Sequence, residues 1–159
     1  MPTQRKILNQ QEAKAQIDAW KDAGYEVVFT NGCFDILHLG HIDYLEKARS
    51  LGDRLVVAVN TDASVRKLKG AKRPVNEENA RARIIAALDF VDAVVLFAED
   101  TPQQIIEQFL PDVLVKGNDY SISNIIGADV VIENGGEVKT IDLVDGYSTT
   151  NIVEKIKNT

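Results

Sequence analysis

The stretch YEVVFTNGCFDILHLGHIDYLEKARS, residues 25–50, opens with a β-branched and aromatic run and closes with a helical pattern. Tyr25–Thr30 reads as a strand, and Ile42, Leu45 and Ala48 mark the apolar stripe of a helix. A strand feeding a helix is half of a βαβ unit, and the pattern recurs in both directions along the chain. Arg54–Val59, Ala93–Phe97, Asp112–Val115 and Glu137–Leu143 read as further strands. The first three of these are nearly continuous apolar runs, as expected of parallel strands covered on both faces. Helical stripes lie between them at Ile84, Ile85 and Leu88, and at Ile105, Ile106, Phe109 and Leu110. Thr101-Pro102 is a cap and first-turn proline for the second of these. Ile152, Val153 and Ile156 mark a last amphipathic helix opened by Ser148–Thr150. Residues 1–24 supply an N-terminal helix, Gln10–Ala23, ending at Gly24 and leading into the first strand. Asp129–Glu133 is too short for periodicity to decide between helix and strand.

This alternation predicts an α/β fold: a single Rossmann-like, doubly wound domain over residues 1–159, with a mostly parallel five-stranded sheet. Ligands of such sheets bind beyond the carboxyl ends of the strands, where strand order reverses. The segments after Thr30, Val59, Val115 and Leu143 are therefore the places to look for a site.

With 159 residues, 45% hydrophobic and 26% charged, the chain has the composition of a globular domain able to build its own core. One cysteine, Cys33, excludes an intrachain disulfide framework and a multi-cysteine zinc site. No apolar run approaches the roughly 18–20 residues of a membrane span, and the N-terminus lacks a signal-peptide core, so a cytoplasmic location is expected. A net charge of −6 argues against nucleic-acid or anionic-membrane partners. That figure hides an asymmetry. Arg66–Arg83 carries +5, leaving −11 for the remainder, and a cationic stretch on an acidic domain suits a small polyanion as well as a solvated face.

The connection after the first strand contains both histidines of the protein, His38 and His41, separated by Leu39 and Gly40. Neither common glycine-rich phosphate motif is present. A helix start offers free backbone N–H groups and a positive dipole end to phosphate, and Gly40 permits close approach. Two imidazoles at i and i+3 share one side of the first turn, where they could hold phosphate oxygens and stabilise charge on a five-coordinate phosphorus. A histidine pair without a third ligand nearby is a poor zinc site, so no metal is expected on protein side chains. Cys33 reads as a small apolar residue rather than a nucleophile.

NGCFDILHLGH resembles the HxGH signature of the nucleotidylyltransferase superfamily, here His38-Leu39-Gly40-His41. Leu68-Lys69-Gly70, Arg73-Pro74-Val75-Asn76 and Asn79-Ala80-Arg81 resemble the basic loop and following helix of these enzymes. Val115-Lys116-Gly117-Asn118-Asp119-Tyr120 and Gly146-Tyr147-Ser148-Thr149-Thr150 resemble the later elements, the last being the second signature. The combination is most similar to the adenylyltransferase domain of the bifunctional ADP-heptose synthases and its stand-alone form. That family joins ATP and D-glycero-β-D-manno-heptose 1-phosphate into ADP-heptose and pyrophosphate for lipopolysaccharide core assembly.

The resemblance implies a role for each matching position. Thr30, Asn31, Gly32, Cys33 and Phe34 would present backbone N–H groups to the α-phosphate, beside Gly40. His38 and His41 would bind the triphosphate, and Lys69 would bridge the phosphates of the two substrates. Lys72 and Arg81 would add cations, and Asp35 and Asp119 would orient substrate hydroxyls. Lys116 and Gly117 would border the nucleobase, while Ser148, Thr149 and Thr150 would donate hydroxyls to phosphate and cap the last helix. Magnesium bound mainly through nucleotide phosphates and a homodimeric assembly are also implied. One departure stands out: glycerol-phosphate cytidylyltransferases begin the second signature with Arg, where this chain has Leu143. Other small phosphate acceptors, CTP as donor, and a non-catalytic nucleotide-binding module remain open alternatives.

Overall fold

The computed structural model describes residues 2–119 and 121–159. Six parallel strands form one sheet: β1 (Ile7–Leu8), β2 (Val27–Gly32), β3 (Arg54–Asn60), β4 (Ala93–Phe97), β5 (Val113–Gly117) and β6 (Glu137–Ile141), in the order β1-β4-β3-β2-β5-β6. The expected parallel α/β sheet is present, with six strands rather than five. The extra strand is β1, which adds Ile7 and Leu8 to the edge of the sheet opposite Val94 and Val95. Two residues are too few to show a period in sequence. The residues before β2 are thus a short 3₁₀ turn (Thr3–Lys6), this edge strand, and helix α1 (Gln10–Asp22). Asn9 caps α1 by accepting from the Glu12 amide, 2.8 Å, while Glu12 accepts from the Asn9 amide in return.

Among the described residues six more α-helices follow, α2 (Leu39–Arg49), α3 (Asp62–Lys69), α4 (Glu78–Ala86), α5 (Gln103–Phe109), α6 (Ala128–Glu133) and α7 (Thr149–Lys157), with a second 3₁₀ turn at Ile122–Asn124. Helix α3 replaces the front half of the expected basic loop. Thr61 starts it by accepting from the Ser64 amide, and Val65 anchors it as its one buried large apolar residue, too faint a stripe to read from sequence. The short segment at residue 129 is helical, as part of α6.

Strand alternation divides the core in two. Phe29, Val56, Val95 and Leu114 face α1, α5 and α6, where they meet Ile17, Ile105, Phe109 and Val131. Val28, Val57, Val94 and Val115 face α2 and α4, where they meet Leu45, Ala48, Ile85 and Ala86. From β2 the chain moves outward through β3 to β4, then returns to the other side of β2 for β5 and β6. The reversal lies between β2 and β5. No helix among the described residues is long and apolar enough to cross a membrane.

Phe29, fully buried at the centre of the sheet and edge-on to Phe109 at 6.1 Å, is the test of this core. Phe29→Ala is expected to cost about 3–5 kcal/mol in urea unfolding, and a loss below about 1 kcal/mol would contradict the packing described.

Candidate active site

A cleft of about 710 Å³ opens at the carboxyl ends of β2 and β5, at the point of reversal. Its floor is polar and closed. The Thr30 and Tyr44 hydroxyls lie 2.7 Å apart and 3.1 and 3.0 Å from the Val115 carbonyl, tying β2, α2 and β5 together. Burial pushes the Tyr44 phenol above its ordinary value. Thr30 therefore lies under the cleft, with its side chain engaged, while Asn31, Gly32, Cys33, Phe34 and Asp35 line it.

The two histidines frame the start of α2. Their rings stack with centroids 3.8 Å apart, and the Phe34 ring meets His41 edge-on at 5.4 Å. The His38 backbone N–H donates to His41 Nδ1, 3.3 Å. A neutral His41 therefore carries its proton on Nε2, where it can donate outward. Burial, with the neighbouring His38 adding to it, holds the His41 pKa down to about 4, and burial also lowers His38. Both rings are neutral donors at pH 7 in the free protein. Gly40 is required here: a Cβ would stand 2.9 Å from His38 Cε1 and 3.3 Å from Tyr147 Cβ. Phe34 adopts a left-handed backbone, φ 49°, where the chain turns out of β2.

The cationic segment divides into groups that reach the cleft and groups that hold it. Lys69, exposed in the last turn of α3, lines the cleft and is near enough to Cys33 to lower the thiol's pKa against the larger upward push of burial. Lys72 is exposed and outside the lining. Arg81, read as a substrate cation, is fully buried behind the cleft. Its guanidinium donates to the Asn76, Cys33 and Asn60 carbonyls and to Asp62, all within 2.7–2.8 Å. A cation so enclosed is a tie between loops, which a one-dimensional count of charges does not distinguish from a ligand. Asp35 is similarly committed. It accepts from Arg73 Nε at 2.7 Å and from the Val75 and Asn76 amides at 2.9 Å each. These bonds hold its carboxyl below its ordinary pKa despite burial.

On the far wall, Lys116 and Gly117 end β5, two residues before Asp119. Burial lowers the Lys116 pKa to about 8, with Asp119 and Cys33 opposing the shift. Tyr120 of the same motif lies outside the described residues. Leu143 packs over Gly117, where a Cβ would come within 3.1 Å of it, so an apolar side chain occupies the place of the signature arginine. Ser148 caps α7, accepting from the Asn151 amide at 3.0 Å, and Ser148, Thr149 and Thr150 all line the cleft.

Tyr44, Asn60 and Tyr147 also line the cleft and carry no sequence-derived role. Tyr44 follows His41 by three residues, so helical spacing would have found it. Asn60 ends β3, where the rule on strand ends points.

A family model described as Cytidylyltransferase-like matches residues 29–155. The bifunctional protein HldE of Citrifermentans bemidjiense is 63% identical over 133 residues, 84% of this chain and 27% of the relative. That of Azotobacter vinelandii is 53% identical over 155 residues, 98% of this chain and 33% of the relative. The chain spans about a third of the length of these curated relatives. Among solved structures, the lipopolysaccharide core biosynthesis protein from Thermoplasma volcanium GSS1 superposes with a TM-score of 0.61 at 32% identity, over 79% of this chain and 100% of that one. Pantoate-β-alanine ligase from Francisella tularensis shares the fold alone, with a TM-score of 0.57 at 14% identity over 96% of this chain and 78% of that one.

Two measurements test the geometry. Arg81→Met leaves Asp62 and three carbonyls without their donor and is expected to destabilise by about 3–5 kcal/mol; a loss below about 1 kcal/mol in urea unfolding contradicts the tie. The depressed histidine pKa means that the unfolded chain takes up protons between pH 6.5 and 4 that the native protein refuses. Stability therefore falls as pH drops through that window. His41→Gln is expected to flatten this limb, and an unchanged limb would rule out a buried neutral His41.

Proposed function

This chain belongs to the cytidylyltransferase-like family, and on that premise we propose that it is a sugar-1-phosphate adenylyltransferase. It transfers AMP from ATP to D-glycero-β-D-manno-heptose 1-phosphate, giving ADP-heptose and pyrophosphate for lipopolysaccharide core assembly in the cytoplasm. The observation that carries the reading is the pair of neutral, stacked imidazoles at the start of α2, facing Lys69 and the α7 cap residues across one cleft. The resemblance of the motifs to ADP-heptose synthases supports the choice of substrates, as does the name of the 32%-identical Thermoplasma protein.

The chemistry is in-line attack by a phosphate oxygen of the sugar 1-phosphate on the α-phosphorus of ATP, with pyrophosphate leaving. The attacking oxygen is ionised near pH 7, so no general base is needed. The task is to hold two anions together and neutralise the charge that develops on the leaving phosphates. Backbone amides of residues 31–34, at the end of β2, would receive the α-phosphate. His41 Nε2–H and the amides at the start of α2 would hold the phosphates that leave. The Ser148, Thr149 and Thr150 hydroxyls would take further phosphate oxygens at α7, and Lys69 would bridge the two substrates. Lys72, further out on the same segment, would meet only the outer phosphates.

Asp35 is already committed to Arg73 and two amides, so it does not offer a free carboxylate for a metal cage. Magnesium would be held mainly by triphosphate oxygens and water, adding charge neutralisation. Asp119 would accept a substrate hydroxyl, and Lys116 and Gly117 would border the nucleobase with Leu143. A homodimer is the assembly proposed.

A pyrophosphate-release screen of ATP, CTP and GTP against sugar and polyol phosphates tests this reading. Turnover is expected with ATP and the heptose 1-phosphate, whereas turnover confined to CTP and glycerol phosphate would overturn it. His41→Ala is expected to lower turnover about 100- to 1,000-fold while the domain stays folded. Near-normal turnover in that variant would remove the histidine from the mechanism.

A further inference from the structure

Arg73 and Arg81 belong to the same basic segment and use their guanidinium groups in opposite ways. Every nitrogen of Arg81 donates inside the protein: Nε to Asn76, Nη1 to Cys33 and Asn60, Nη2 to Asp62. Arg73 donates through Nε alone, to Asp35 Oδ2 at 2.7 Å. Among the described residues its Nη1 and Nη2 have no acceptor, and neither is closed off from solvent. The Arg73 side chain lines the cleft and is 24% exposed, against 3% for Asp35. Its two terminal nitrogens are therefore left for a ligand, whereas those of Arg81 are spent on the fold.

The mounting of Arg73 does not depend on that ligand. The Val75 and Asn76 amides also donate to the Asp35 carboxylate, and Asn76 Nδ2 donates to the Asp35 carbonyl at 2.7 Å. With Nε fixed against a buried carboxylate, the plane of the fork is set in advance, so little freedom is lost when an anion binds. Parallel N–H groups on a planar cation match two oxygens of one phosphate. A sugar 1-phosphate offers such a pair, because one terminal oxygen attacks and the others remain for contacts.

Position selects between the two substrates. In the reading above, ATP takes the nucleobase wall at Lys116 and Gly117, the amides of residues 31–34 and the starts of α2 and α7. Those nucleobase residues end β5, on one side of β2; the segment carrying Lys69 and Arg73 follows β3, on the other. Burial raises the Cys33 thiol's pKa, and Lys69, Arg81 and Arg73 oppose the rise, which puts Arg73 with Lys69 beside the turn after β2. The wall left for the acceptor is the one that carries these two cations.

We propose that Arg73 binds the phosphate of the sugar 1-phosphate through Nη1 and Nη2, beside Lys69, and so fixes the attacking oxygen for transfer. The inference rests on the adenylyltransferase reading above and adds the residue that receives the acceptor's phosphate.

Phenylglyoxal condenses with the terminal nitrogens of arginine, and peptide mass spectrometry reads its product residue by residue in the wild-type chain. Arg73 is expected to be modified in the free chain while Arg81 is spared. With α,β-methylene-ATP alone the Arg73 rate should stay within about twofold, and adding heptose 1-phosphate should slow it about 10-fold or more. An unreactive Arg73 in the free chain, protection by the nucleotide analogue alone, or no protection by the acceptor each overturns the proposal. Kinetics of pyrophosphate release supply a second arm. Arg73→Lys keeps a cation beside Asp35 and loses the fork, so KM for heptose 1-phosphate is expected to rise about 10- to 100-fold while KM for ATP stays within about twofold. A brace acting only through Asp35 would move both KM values together, and that result, like an unchanged acceptor KM, overturns the assignment. Turnover by the wild-type chain without acceptor protection of Arg73 strikes this proposal alone. Absence of turnover with every sugar phosphate removes the reading beneath it as well.

Discussion

A guanidinium with no access to solvent joins the loops at the carboxyl end of this sheet. Arg81 reaches the turn after β2 through the Cys33 carbonyl, the end of β3 through Asn60, the start of α3 through Asp62, and the segment before α4 through Asn76. Parallel strands end in separate loops, and nothing in the sheet ladder itself sets the distance from one loop to the next. A planar donor with several N–H groups in fixed directions can do so, where an ammonium could not. The burial of this charge is tolerable because Asp62 neutralises it and the carbonyls satisfy its remaining donors. Asp35 performs the complementary task, with Arg73 and two amides closing the basic segment onto the turn after β2. Lys69 stands between these two anchor points, on a helix whose first residue is held by Arg81.

The same economy explains why the histidines are neutral. Stacked imidazoles in a half-buried niche repel a second proton, and burial opposes the first. Their contribution to phosphate is directed hydrogen bonding rather than fixed charge, since the His38 amide sets the His41 tautomer. Positive charge comes from elsewhere: Lys69 on one wall, Lys116 on the other, and the helix starts between them. An empty cleft lined with several permanent cations at contact distance would destabilise the free protein. Separating the hydrogen-bond donors from the charges avoids that cost until an anion arrives.

Much of the site was legible because it is local. His38, Gly40 and His41 are close in sequence and meet at one helix start, and Ser148–Thr150 cap a helix whose stripe is plain. The parallel sheet followed from four apolar strands separated by helical stripes. What escaped reading was long in range or short in length. Strand β1 has two residues, and α3 buries one large apolar side chain. The resemblance assigns Thr30 to phosphate through its backbone N–H; that its hydroxyl is tied to Tyr44 of the next helix and to the Val115 carbonyl of β5 is a long-range contact no local pattern shows. In the sequence Arg81 is indistinguishable from the cations of the cleft, because charge in a sequence has no inside or outside.

The sequence by itself determined the alternating parallel fold, the helix start that holds both histidines and the place of the cationic stretch, since each follows from periodicity or from neighbours within one turn. Only the tertiary structure decided which charged groups face the cleft and which brace it, and which side of the sheet each strand end presents. Those outcomes depend on burial and on partners dozens of residues away. The difference between Lys69 and Arg81 is one of solvent and geometry, and folding supplies both.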